Sequence, residues 1–107
     1  MNTNSLATRT RQRNLITEEF KEFLEADGMM FMTGSKHKAD CLKELADLVY
    51  VCYQYAENMR WNLDEAMFRV HQSNMSKLDD EGKPIYREDG KVLKGPNYKP
   101  PNLEDLV

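Results

Sequence analysis

The sequence predicts an all-α fold: an antiparallel helical bundle completed by oligomerisation, with a small C-terminal β-hairpin and extended tail. Three observations lead there. Apolar residues recur at helical spacing in three successive segments up to Leu78. All four prolines fall after Leu78, with three of the five glycines. At 107 residues one domain buries only a modest core, so a partner subunit is expected to complete it.

The first helix is expected to run to about Asp27, with Gly28 as its C-terminal stop. Its start is undefined by pattern because Thr8 to Asn14 is polar throughout. The stretch MMFMTGSKH then reads as a loop, with Gly34 and Ser35 supplying turn chemistry. The second helix spans roughly Lys36 to Met59. It is apolar almost all round from Leu45 to Tyr55, which predicts a central, buried helix. A break at RWN precedes the third helix, NLDEAMFRVHQSNMSKL, with Asn62 as N-cap and Asp64 and Glu65 in its first turn. Beyond it, PIYR and KVLK flank EDG as a predicted hairpin with Gly90 at the positive-φ position. KGPNYKPP reads as polyproline-like chain. The organisation expected is a helical domain over 1–78 and a hairpin and tail over 79–107 that pack on or over it.

Net charge is −3, too nearly balanced for a field that recruits nucleic acid or an anionic membrane. No run of 18 apolar residues occurs, and MNTNSLATRTR lacks the apolar segment of a secretory signal. A cytoplasmic protein with no nucleic-acid or membrane partner is expected. Cys41 and Cys52 stand eleven residues apart in one helix, about 16 Å, too far to pair. They read as reduced packing residues.

LITEEFKEFLEA carries the chemistry. On a helical wheel Leu15, Ile16, Phe20, Phe23, Leu24 and Ala26 form an apolar arc. Glu19 falls inside this arc and Glu22 at its margin, whereas Glu18 and Glu25 lie toward the wet side. A carboxylate in a desolvated arc needs a compensating cation, and Lys21 is on the wrong side to provide one. The second helix repeats the pattern in DCLKELADLVYV. Glu44 and Asp47 are three apart and share a face with Asp40, while Leu42, Leu45, Val49, Cys52 and Ala56 occupy the opposite face. If the two helices pack antiparallel, both pairs face each other. Spacing alone leaves two readings open, a solvated acidic surface or a metal site. Four converging carboxylates need divalent cations between them, and an all-oxygen set favours Mg²⁺, with Mn²⁺ possible, over zinc. Magnesium takes substrate phosphates as further ligands, which points to a nucleotide-like substrate.

EEFKE followed by KELADLVYV is similar to the ExxE…ExxD signature of the all-α nucleoside triphosphate pyrophosphohydrolases. VHQSNMSKL and the DGKVLKGPNYKPPNL tail resemble the short MazG-like proteins of bacteria and phages. The resemblance implies Mg²⁺-dependent cleavage of an NTP or dNTP to NMP and pyrophosphate. It also implies Glu19, Glu22, Glu44 and Asp47 as metal ligands and Glu18 as an outer residue or water-orienting base. Partners implied are the nucleoside triphosphate substrate and further copies of the chain, as a homodimer or homotetramer. Such proteins usually carry another helical segment before the RxxLIxEE region, where this chain has MNTNSLATRTRQRN. A shortened or irregular N-terminal segment is therefore expected.

Asn74 follows the apolar face of Leu63, Ala66, Met67 and Val70, with Lys77 at its edge. Either the helix frays after His71, or Asn74 and Lys77 bind substrate phosphate or sugar. The resemblance to NMSKL supports substrate binding. His71 reads as a partly buried polar residue. Trp61, Tyr50, Tyr53 and Tyr55 can stack on a base, although core or interface roles suit at least two of the tyrosines. Met29, Met30, Phe31 and Met32 read as an interface plug or a wall of the base pocket. The basic tail from Lys83 to Lys99 is either solvated or a lid over a polyanionic substrate. Base and sugar preference are not encoded in spacing, and ppGpp stays within the allowed substrate classes. The rival to an enzyme is a non-catalytic helical homo-oligomer that binds nucleotide or a protein partner.

Overall fold

The computed structural model describes residues 6–107, so the first five residues of the polar N-terminal stretch lie outside it. Three α-helices follow in order: α1 (Leu6–Thr33), α2 (Lys38–Met59) and α3 (Leu63–Met75). Gly34–His37 forms a 3₁₀ turn between α1 and α2, and Glu104–Leu106 a second near the C-terminus. The architecture is all-α, as expected. No helix is long and apolar enough to cross a membrane among the described residues. The chain divides into two compact units, Met1–Trp61 and Asn62–Val107.

In the first unit α1 and α2 pack along each other through the four-residue turn, which makes them antiparallel. Two expectations for α1 are corrected. Leu6–Asn14 is helical and continuous with the rest, so the polar stretch is the first part of a 28-residue helix, about 42 Å long. Gly28 does not stop it either. It lies inside α1 and is not among the glycines at positive φ, so the left-handed turn of a glycine cap is not formed there. The methionines that follow are good helix formers, and a mid-helix glycine costs only about 1 kcal/mol. The expected MMFM loop is therefore helix, and the reversal is made by Gly34–His37.

Exposure along α1 has a clear period. Gln12, Leu15, Ile16, Glu19, Glu22, Phe23, Ala26 and Met30 are half-buried, at steps of three and four, while Phe20 and Leu24 stand about half exposed. The covered stripe of α1 thus contains both glutamates and leaves out two of the residues assigned to its apolar arc. On α2 the covered positions include Cys41, Glu44, Asp47, Leu48, Val51, Cys52, Tyr55 and Ala56. Only Cys41, Val51 and Ala56 are buried apolar residues among those described. The expectation of a helix buried all round is not met. Only one side of α2 is covered, and Leu42, Leu45, Val49 and Tyr53 form an open stripe on the other. Both cysteines are free, Cys41 buried and Cys52 half-buried. Trp61 closes the unit against Tyr55, ring centroids 6.0 Å apart. Arg60, in the left-handed conformation at φ 60°, ends α2 by donating its N–H to the Ala56 and Glu57 carbonyls.

In the second unit Asn62 caps α3 as expected, its side chain accepting the Glu65 N–H at 3.0 Å. The helix ends at Met75 instead of Leu78, where Ser76 Oγ donates to the Ser73 carbonyl. The tail folds back along α3. Buried Ser73 donates to the Lys99 carbonyl at 2.7 Å, and Lys99 N–H donates to Ser76 Oγ at 2.9 Å. Arg69 grips Asp105 with two nitrogens at 2.6 and 3.0 Å, and also binds Glu65 and the Asn102 carbonyl. The predicted hairpin is not formed as strands. One isolated antiparallel bridge, Tyr86 to Val92, spans the EDG turn, with Gly90 at φ 88°. Four residues a side, one of them Pro84 without an N–H, is too short for a ladder to form alone.

Candidate functional site

Glu19, Glu44 and Asp47 converge across the α1–α2 seam, each offering a carboxylate oxygen, all within 4.8 Å of one another. The local sequence places them there. Glu44 and Asp47 are three apart on α2, and Glu19 sits in the half-buried stripe of α1 that faces it. Glu22 joins through a hydrogen bond to Glu19. Its carboxyl is held above the ordinary range, chiefly by that bond, then by the Glu19 charge, partial desolvation and the charges of Glu44 and Glu18. Glu18 itself is exposed beside the group. Of the four acids named as ligands, Glu19, Glu44 and Asp47 converge, and Glu22 lies beside Glu19 outside that group of three. Asp40 is not among them; it is exposed and bonds His37 Nδ1 at 3.1 Å.

Two oxygens, Glu19 Oε2 and Glu44 Oε2, are buried with no hydrogen-bond partner. Buried polar atoms of folded proteins are nearly always satisfied, so a pair of orphaned carboxylate oxygens on facing helices marks a place for a cation. The donor set fits one. Oxygens around a bound magnesium lie at most about 4.2 Å apart, so a small side-chain rotation closes the group.

Sequence reasoning missed two residues here. Lys43 is the cation sought at Lys21. Its Nζ lies 2.6 Å from Asp47 and 3.5 Å from Glu44, and its own pKa is raised, first by the Asp47 hydrogen bond. The i, i+4 spacing to Asp47 was the available signal. Gln12 is half-buried on α1 seven residues before Glu19, with Oε1 buried and unpartnered. Its heptad spacing from Glu19 put it on the same face.

Among the aromatics, Tyr55 is packed on Trp61 while Tyr50 and Tyr53 are exposed. Phe31 and Met32 are the most exposed apolar residues described, at 83% and 84%. In the second unit α3 stays helical past His71 to Met75, so it does not fray there. Asn74 is exposed on its last turn, and Lys77 is half-buried just beyond the helix.

The family model for phosphoribosyl-ATP pyrophosphohydrolase matches residues 1–74, a span containing all four acids. Residues 75–107 lie beyond the matched segment. No curated protein is matched by the chain. The match extends over more than half of the chain and agrees with its helical architecture and its acidic seam: the chain belongs to the phosphoribosyl-ATP pyrophosphohydrolase family, within the all-α nucleoside triphosphate pyrophosphohydrolase superfamily.

Proposed function

We propose that the chain is a Mg²⁺-dependent pyrophosphohydrolase that cleaves a nucleoside triphosphate, NTP or dNTP, to NMP and pyrophosphate. The observation that carries this is the carboxylate group of Glu19, Glu44 and Asp47 with its two orphaned buried oxygens. Its oxygen-only composition favours Mg²⁺, with Mn²⁺ as the substitute. A divalent cation held there offsets the charge of the anhydride and of the leaving pyrophosphate, and acidifies a nearby water.

The chain's residues then divide the work. Glu19 and Glu44 turn their unpartnered oxygens inward, and Asp47, paired with Lys43 while no cation is bound, supplies the third oxygen. Glu22, beside Glu19 on α1, gives up any proton it shares with Glu19 when the cation binds and serves as the fourth ligand. In the reaction a water oxygen bonds to the α-phosphorus, and the bond to the α–β bridging oxygen breaks with its electron pair leaving on pyrophosphate. Exposed Glu18 accepts the water's proton and passes it to solvent.

The open apolar stripes support assembly with further copies of the chain. Leu42, Leu45 and Val49 on α2, and Phe20 and Leu24 on α1, are exposed on long helices. Burying each such side chain fully is worth about 1.5–3 kcal/mol. A homodimer or homotetramer covers these faces and completes the bundle.

The test is pyrophosphate release from a panel of NTPs and dNTPs, with Mg²⁺ and with EDTA. Stoichiometric NMP and pyrophosphate from at least one nucleotide, abolished by EDTA, is expected. A folded sample that turns over none of them overturns the enzyme reading in favour of a nucleotide-binding or protein-binding oligomer.

A further inference from the structure

We propose that the C-terminal unit carries an anion site of its own, a cradle of Lys77, Lys91 and Lys94 that binds an oligophosphate group. An open depression of about 460 Å³ is lined by Lys77, Arg87, Lys91, Val92, Leu93 and Lys94, a size typical of small-molecule sites. Four of its six lining residues are basic and none is acidic. Arg87 is neutralised in place by two hydrogen bonds to Asp89. The three lysines form no ion pair among the described residues. Like charges gathered around one depression repel unless an anion joins them.

The backbone, not chance side-chain drift, brings them together. Gly95 donates its N–H to the Lys77 carbonyl at 2.9 Å. A Cβ at Gly95 would lie 2.5 Å from that carbonyl oxygen and 2.9 Å from that of Leu78, so only glycine permits the approach. Lys94 is thereby set beside Lys77, and its ammonium lies 4.9 Å from the centre of the Tyr98 ring. Lys91 is brought in by the turn, whose two arms are tied by Arg87 N–H to the Lys91 carbonyl at 2.7 Å and by Leu93 N–H to the Ile85 carbonyl at 2.6 Å. Hydrated point charges on flexible stems suit the dispersed charge of a di- or triphosphate chain better than a planar carboxylate. The chain can come from a nucleotide or from free inorganic oligophosphate.

The probe is inorganic tripolyphosphate, titrated in EDTA and followed through the backbone amide signals of residues 77 and 91–95. Binding is expected, weakened at least about tenfold by K91E/K94E and severalfold by K91E alone, and weakened by added salt as exposed charges are screened. K91E alone leaves the Tyr98 contact intact, and an unchanged amide spectrum elsewhere shows that it folds. Tighter binding of a nucleoside triphosphate than of tripolyphosphate assigns the site to the nucleotide, and equal binding assigns it to the phosphate chain alone. E44Q should bind tripolyphosphate like the parent, so this site and the carboxylate reading fail separately. No binding, equal binding by K91E/K94E, or preference for a single-stranded oligonucleotide over tripolyphosphate overturns the proposal.

Discussion

Glu44 concentrates the chemistry of the seam in one side chain. One of its oxygens is buried and unpartnered, and its neighbours are Lys43, Asp47 and Glu19. Glu44→Gln keeps the shape and removes the charge. Turnover is expected to fall more than about 100-fold, since even outer contacts of a metal site cost 10–100-fold, while the helical circular dichroism is unchanged; retained activity contradicts the assignment. Lys43 makes the opposite prediction. It is the seam's own counter-charge, so Lys43→Met should tighten Mn²⁺ binding severalfold and lower the thermal midpoint of the metal-free protein. Weaker Mn²⁺ binding would show that Lys43 supports the ligands and does not compete for them. At this scale the sequence was legible where charge conflicted with periodicity. Glu19 inside an apolar arc was visible without coordinates. Lys43 was not, because it lies outside any apolar arc and its role depends on which way a long, mostly exposed stem turns.

Helix caps and the tail show what local chemistry does and does not determine. Asn62 and its Glu65 partner started α3 where the pattern placed it, because a cap needs only residues three apart. Gly28 and the MMFM stretch misled, because glycine permits a stop without enforcing one. The tail was legible only as non-helical. Its docking rests on contacts 23 to 36 residues apart, such as Ser73 to Lys99 and Arg69 to Asp105, which no local pattern carries. Gly95→Ala is expected to undock the 91–99 segment, since a methyl cannot enter 2.5 Å from a carbonyl oxygen; faster amide exchange there would check it, and unchanged exchange would contradict it. The Arg69–Asp105 pair adds a pH dependence. Arg69 holds the Asp105 carboxyl below its ordinary value of 3.8, so the folded state binds that proton less readily than the unfolded chain. The resulting stabilisation is present above pH about 4 and is lost as pH falls through the lowered folded value. Amide signals of residues 102–106 should report undocking in that acidic window, and Asp105→Asn should remove the dependence.

At the scale of the whole molecule, two long helices meet along one seam and leave much apolar surface open. The sequence foresaw both a modest core and an α2 apolar on nearly every side, but not which side α1 would cover. That depends on register along the seam, where the acids face inward and Phe20, Leu24, Leu42, Leu45 and Val49 face out. A mass in solution that is a multiple of the chain's is expected by light scattering, with Leu45→Lys/Val49→Lys shifting it toward the monomer. A monomeric parent chain would contradict the proposed assembly.

The central claim is that facing acids on α1 and α2 form one divalent-cation site. Its most direct test is a Mn²⁺ titration followed by loss of the free-ion paramagnetic resonance signal, comparing the parent chain with Glu19→Gln and Glu44→Gln. Saturable binding by the parent and loss of that binding in both variants are expected, although the substitutions lie on different helices. Equal Mn²⁺ binding by parent and variants, or none by the folded parent, would contradict it.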